Sequence, residues 1–133
     1  TGEINHNARK FEFGTRSYTM PMGLAASLDW FDEIGWKNVY AHIRDMNDYL
    51  KERILERPYL KMLIPRSFDQ SSGLTTVEII DHSMRDILTE LGRNWKIYCR
   101  PIPHYNAVRI STAVFTNEYD IDRLMHALDA IVG

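Results

Sequence analysis

Residues 108–118 read Val108-Arg109-Ile110-Ser111, followed by Thr112-Ala113-Val114-Phe115-Thr116-Asn117-Glu118. It predicts a short apolar β-strand that contains one arginine, then a turn and a capped helix. A guanidinium group within an apolar strand is costly unless an anion or an acidic side chain pairs with it. Arg109 therefore either grips a carboxylate with its planar, two-pronged head or has a structural role, with its head in water or in an ion pair.

The segments around this strand alternate between strand and helix patterns. Apolar and β-branched runs predict strands at 60–64, 74–80, 95–99 and 107–111. Apolar residues at helical spacing predict helices at 84–91 and after Asn117, which can cap the last helix. Proline cannot donate to a sheet, so Pro101-Ile102-Pro103 predicts an irregular connection. The order β-β-α-β-β-α indicates an α+β fold, a mostly antiparallel sheet with helices packed on one face.

Two helical patterns precede this α+β region. Thr19-Met20-Pro21-Met22 is typical of a helix start, and Gly35 interrupts the apolar stripe that follows it. A second stripe at helical spacing ends before Pro58. We therefore expect an arm at residues 1–21, a long bent or two-piece helical segment at 22–56, and the α+β domain at 57–133.

Composition is that of an ordinary soluble domain. The 133 residues are 44% hydrophobic and 26% charged, with a formal net charge of −2. Such a balance provides no basic field for nucleic acid. The single cysteine, Cys99, excludes an internal disulfide and fits a reducing compartment, and no apolar run reaches transmembrane length. We therefore expect a cytoplasmic protein that binds neither nucleic acid nor a membrane.

The sequence contains no GxSxG, P-loop or GxGxxG motif, and no residue is predicted to be catalytic. No metal site is expected, because the histidines lack the spacing of metal ligands. They are His6, His42, His82, His104 and His126. Phe11-Glu12-Phe13-Gly14-Thr15 offers a glycine N–H and a threonine hydroxyl that can donate to a phosphate oxygen, although a structural turn would use the same groups.

The order of these motifs resembles the C-terminal part of the class V aminotransferase family. These are pyridoxal phosphate (PLP) enzymes of fold type I, including cysteine desulfurases, selenocysteine lyases and isopenicillin N epimerase-like proteins. Residues 9–15 are similar to the family's R-x-E-x-G-T element, and Ser72-Gly73-Leu74 is similar to its S-G-I strand start. Residues 108–124 are similar to its R-x-S, aromatic-N-T and E-I-D-x-L ending, although Thr116-Asn117 stands where the family has Asn then Thr. The resemblance covers residues 9–132.

The resemblance implies a domain assignment and two binding roles. It makes residues 1–21 the end of a large domain, 22–56 an interdomain helical segment and 57–133 the small domain. Arg109 would hold the α-carboxylate of an amino-acid substrate. Thr15, with Gly14 beside it, would contact the PLP phosphate, in this family often that of the neighbouring subunit of a homodimer.

The family's Schiff-base lysine follows a Ser/Thr-x-His sequence, and no lysine of this sequence has that context. We therefore expect a C-terminal fragment of a PLP-dependent transferase, lyase or epimerase that is not competent alone. The alternative is a non-catalytic, stand-alone α+β module that binds a small ligand or a protein. Many desulfurases carry a catalytic cysteine on a mobile loop ahead of the R-x-S strand. Cys99 lies ahead of it in a predicted strand, which indicates an inert buried thiol and favours a lyase-like or epimerase-like branch.

Overall fold

A computed structural model describes residues 6, 7, 10, 14 and 17–133. The chain divides into two compact units, Thr1–Trp36 and Lys37–Gly133. Helix α1 spans Thr19–Ile34 and helix α2 spans Trp36–Leu55, so the predicted helical segment is in two pieces. Gly35 separates them with a φ of +86°, a conformation that favours glycine, and its N–H donates to Phe31 O at 2.9 Å.

Helix α1 presents its apolar residues at the surface of the described chain. None of its 16 residues is buried among the parts that the structure describes. Met20, Met22 and Leu24 are 76%, 71% and 62% exposed. The apolar stripe predicted for this helix therefore exists as a pattern, and its residues are not buried among the described residues.

The second unit is built on a four-stranded sheet in which all neighbouring strands are antiparallel. The strands are β1 (Leu60–Met62), β2 (Leu74–Ile79), β3 (Arg100–Ile102) and β4 (Ala107–Ser111). Their spatial order is β1-β2-β4-β3, which places β2 and β4 in the centre. Strand β4 has the bounds that the sequence predicts.

The core lies between one face of this sheet and three helices, α2, α3 (Met84–Glu90) and α4 (Glu118–Val132). Strand β2 buries alternate residues, so Val77 and Ile79 face the helices. The helices contribute large aliphatic side chains, each worth about 1.5–3 kcal/mol when fully buried. Those exposed by 2% or less include Leu50, Ile54, Ile87, Leu91 and Leu128. The α+β fold with helices on one face is thus confirmed.

The predicted cap of the last helix is also confirmed. Asn117 Oδ1 accepts a hydrogen bond from the Asp120 N–H at 3.0 Å, and Asp120 Oδ2 accepts one from the Asn117 N–H at 3.2 Å. This reciprocal capping box satisfies two backbone donors at the helix start. It fixes the point where the loop after β4 ends.

The predicted strand at 95–99 is wrong. Residues Leu91–Trp95 form a π-helical turn that continues α3, and 96–99 have no regular structure. The pattern misleads because burial still alternates along it: Trp95, Ile97 and Cys99 are half-buried without pairing in a sheet. A strand forms instead at Arg100–Ile102, where Pro101 is tolerated because β3 is an edge strand.

Gly73 closes the junction between the start of β2 and the end of β4. Its carbonyl accepts hydrogen bonds from the Thr112 N–H at 2.9 Å and from Thr112 Oγ1 at 3.1 Å. A Cβ atom at Gly73 would lie 2.8 Å from Thr112 O and 2.8 Å from Ile43 Cγ2 of α2. Only glycine lets these three segments meet at this point.

Replacing Gly73 by alanine should lower the free energy of unfolding of the 133-residue chain by about 1–3 kcal/mol, because the new methyl group overlaps the Thr112 carbonyl oxygen and Ile43 Cγ2. Urea denaturation followed by circular dichroism measures the change. Gly92→Ala is the matched control, since a Cβ there lies 3.6 Å from its nearest neighbour, Tyr98 Cε1, in a helical segment. Equal stability losses for the two variants would contradict the assigned close contact.

Candidate functional site

Strand β4 places Arg109 on the face of the sheet that is turned away from the helical core. Val108 and Ile110 on either side of it are 3% and 9% exposed and belong to the core. Because side chains alternate along a strand, Arg109 lies on the opposite face. Its register partners are Thr76 of β2 and Arg100 of β3. This face of the sheet carries Thr76, Arg100, Arg109 and Ser111.

The head group of Arg109 has a donor that the described residues leave unused. Arg109 is half-buried, and its Nε atom is buried without a hydrogen-bond partner among the residues that the structure describes. A buried donor without an acceptor costs about 1–3 kcal/mol, and more when it is charged. An acceptor from outside the described residues would recover this free energy, and a carboxylate matches the guanidinium in charge and shape.

Arg109 lines a cavity of about 490 Å³. Ile110, Ile121 and Leu124 form an apolar part of its wall, and Ser111 and Thr116 add hydroxyl groups. Phe115 also lines it and is 82% exposed. A cavity of this size, mostly apolar with a few polar groups, is typical of a site for a small molecule.

The loop after β4, which forms one side of this cavity, is held by hydrogen bonds at several points. The Ala113 N–H donates to Thr116 Oγ1 at 2.9 Å, and His42 Nε2 lies 2.8 Å from Thr116 O. A carbonyl oxygen can only accept, so the proton of this hydrogen bond is on Nε2 of His42. The loop therefore keeps the cavity in a defined shape between β4 and the capping box of α4.

Cys99 lines the same cavity, in the irregular stretch before β3. Burial raises the pKa of its thiol to about 11. The thiol is therefore protonated at neutral pH and is a poor nucleophile. The strand predicted for Cys99 is wrong, but the buried environment supports the inert thiol that the sequence predicts.

The predicted phosphate-contacting residues fall in the first unit. Gly14 is exposed, and no described heavy atom lies within 4 Å of the position that a Cβ would take there. Thr15 lies outside the described residues. The contact of Gly14 and Thr15 with a cofactor phosphate stays a prediction.

A larger cavity, of about 860 Å³, lies elsewhere in the second unit. Asp81, Asp86 and Glu90 line it, so its charge disfavours a carboxylate ligand. The described part of the chain holds no cluster of three or more histidine, cysteine, aspartate or glutamate residues arranged for a metal ion. Among the described helices, none is long and apolar enough to cross a membrane.

The sequence did not predict that Arg100 lies opposite Arg109 on a neighbouring strand. Position alone, just ahead of the Arg109 strand, is all that the sequence gives for Arg100, His104, Tyr105 and Asn106 as residues at the mouth of a pocket. In the structure the 3₁₀ turn Pro103–Tyr105 joins β3 to β4, and Asn106 closes it with a φ of +46°. A signal was present: counting back symmetrically from a tight turn at 103–106 places Arg100 opposite Arg109. Pro101 and Pro103 made this stretch resemble an irregular connection, so the sequence did not predict that β3 pairs with β4.

Comparison with known proteins identifies the family. Residues 1–124 match the family model described as Aminotransferase class-V. The chain therefore belongs to the class V aminotransferase family.

Among curated proteins, the chain is 29% identical over 131 residues to a cysteine desulfurase of Haloferax volcanii, a match covering 91% of this chain and 30% of that protein. It is 26% identical over 132 residues to a probable cysteine desulfurase of Streptomyces coelicolor, covering 92% and 32%. It is 28% identical over 123 residues to an isopenicillin N epimerase of Streptomyces clavuligerus, covering 90% and 31%. The chain thus spans about a third of the length of these relatives.

Solved structures show the same fold. The cystine C–S lyase C-DES, in complex with its reaction product cysteine persulfide, superposes with a TM-score of 0.78 at 24% identity, over 90% of this chain and 31% of that one. The cysteine desulfurase CsdA of Escherichia coli superposes with a TM-score of 0.75 at 22% identity, over 91% and 32%.

The low reactivity expected of the half-buried Cys99 thiol can be tested by alkylation of the 133-residue chain, in which it is the only cysteine. With iodoacetamide at pH 7, the folded chain should react at least about tenfold more slowly than the chain unfolded in urea, because the raised pKa depletes the thiolate. The rate should rise about tenfold per pH unit up to pH ~10. Intact mass at timed intervals measures it. Equal folded and unfolded rates would contradict the burial of the thiol.

Proposed function

We propose that this chain supplies the substrate-carboxylate arginine, Arg109, of a PLP-dependent class V enzyme that acts on an amino acid. The observation that carries the proposal is the buried Nε of Arg109, which has no partner among the described residues. The membership of the chain in the class V family supports the reaction class.

The role of Arg109 follows from the rigidity of its support. Strand β4 is paired on both sides, with β2 and with β3, so the backbone of Arg109 is fixed. A bidentate pair with the α-carboxylate then fixes the orientation of the α-carbon as well as its position. Arg109 would thereby determine which bond of the α-carbon is presented to a bound cofactor. PLP, when bound, acts as an electron sink for the α-carbon.

The residues proposed to contact the phosphate group of PLP are Gly14 and Thr15. No described heavy atom lies within 4 Å of the position that a Cβ of Gly14 would take, which would leave room for a phosphate oxygen beside this residue. Residues 1–21 would then end a large domain, 22–56 would connect the two domains, and 57–133 would form the small domain. The phosphate would belong to the partner subunit of a homodimer, and the Schiff-base lysine to the large domain.

The complete enzyme would catalyse a reaction of a type found in the class V family, as a transferase, a lyase or an epimerase. The inert thiol of Cys99 argues against a persulfide-forming cysteine at that position. This supports a lyase-like or epimerase-like enzyme over a desulfurase that uses a cysteine there.

In the complete enzyme, Arg109→Gln should weaken binding of the best L-amino-acid ligand by at least about 30-fold, the equivalent of about 2 kcal/mol for a desolvated ion pair. Arg109→Lys should recover only part of this loss, since an ammonium group cannot make the bidentate contact. Isothermal titration with a panel of L-amino acids measures the dissociation constants.

The matched control is Arg93→Gln, which removes an exposed arginine that does not line the Arg109 cavity. It should leave the affinity within twofold of the parent enzyme. Normal amino-acid affinity in Arg109→Gln would overturn the proposed function.

A further inference from the structure

Two arginines face each other across the β3–β4 pair. Arg100 is the register partner of Arg109, and both residues line the cavity of about 490 Å³. Directly opposite residues on neighbouring antiparallel strands have Cβ atoms about 4.5–5.5 Å apart. Like charges in that position repel each other and destabilise the strand pair.

Among the described residues, no acidic group forms an ion pair with Arg100 or Arg109, whereas Arg44, Arg53 and Arg57 of the second unit each form one. Arg57 makes a bidentate contact with Asp129, at 2.8 and 2.7 Å, and Arg44 donates to Asp69 at 2.9 Å. Asp120 also lines the cavity; its Oδ2 accepts the Asn117 N–H in the capping box of α4, and no ion pair joins it to either arginine among the described residues. The cavity is thus lined by two arginines and one aspartate, a net positive charge.

We propose that Arg100 binds a second anionic group, carried by the side chain of the substrate, so that the enzyme acts on an acidic amino acid. This inference rests on the proposed function of Arg109. One carboxylate occupies the two-pronged head of Arg109, which leaves the donors of Arg100 for another anion. A ligand with two negative charges would offset both arginine charges, whereas an amino acid with a neutral side chain offers only its α-carboxylate.

Arg100 is a specificity residue in this arrangement and takes no part in fixing the α-carboxylate. It lies on the edge strand and is exposed, whereas Arg109 lies on a central strand and is half-buried. Arg109, the deeper of the two, binds the α-carboxylate that all amino acids share. Arg100, which lies further out, contacts the substrate side chain, which differs between amino acids. Loss of Arg100 should therefore change the choice of substrate more than the affinity for amino acids in general.

The test compares acids with their uncharged isosteres in the complete enzyme. Dissociation constants are measured by isothermal titration for L-aspartate against L-asparagine and for L-glutamate against L-glutamine. The parent enzyme should bind one of the acids at least tenfold more tightly than its amide. Arg100→Gln should reduce this preference at least fivefold and leave amide binding within twofold. Arg100→Lys, which keeps the charge, should retain most of the preference, and the control Arg93→Gln all of it.

Each outcome separates this inference from the proposed function. A parent enzyme without preference for either acid, or an Arg100→Gln enzyme that weakens acids and amides equally, would overturn the assignment of Arg100 and leave Arg109 untouched. Unchanged binding of both acids and amides in Arg109→Gln would overturn the proposed function itself. Circular dichroism of each variant verifies that the fold is retained.

Discussion

The antiparallel pairing of β2 with β4 is the constraint on which the rest of the second unit depends. It extends over five residue pairs, from Leu74↔Ser111 to Glu78↔Ala107. Because strand residues alternate between faces, this register buries Val108 against the helices and turns Arg109 the other way. A slip of one residue would exchange them, placing a guanidinium group in the core. The contact of Gly73 with Thr112 ends the pairing at a fixed point.

The register of these strands also determines which charged groups line the cavity. The pairing of β3 on the other side of β4 brings Arg100 opposite Arg109, so two cations share one cavity. Burial keeps the neighbouring thiol of Cys99 protonated, and the capping box engages the carboxylate of Asp120. The cavity wall therefore carries two arginines and one aspartate among apolar groups, and this net positive charge suits small anionic ligands.

The sequence predicted the features that depend on local patterns. Strand β4, the order of the elements and the Asn117 cap follow from alternation, spacing and capping chemistry, and the structure confirms them. The strand predicted at 95–99 is wrong because half-burial can alternate with a period of two along a segment that pairs with nothing. The pairing of Arg100 with Arg109 depends on register across a turn with two prolines, and the sequence alone did not provide that register.

The most direct test of the central claim is a crystal structure of the complete enzyme with its amino-acid ligand bound. The account predicts that the α-carboxylate lies within hydrogen-bond distance, about 2.7–3.0 Å, of Nε and a terminal nitrogen of Arg109. A ligand carboxylate bound elsewhere, with Arg109 Nε paired to an acidic side chain of the enzyme itself, would contradict it. In that case Arg109 would be a structural residue, and another residue of this enzyme would bind the substrate carboxylate.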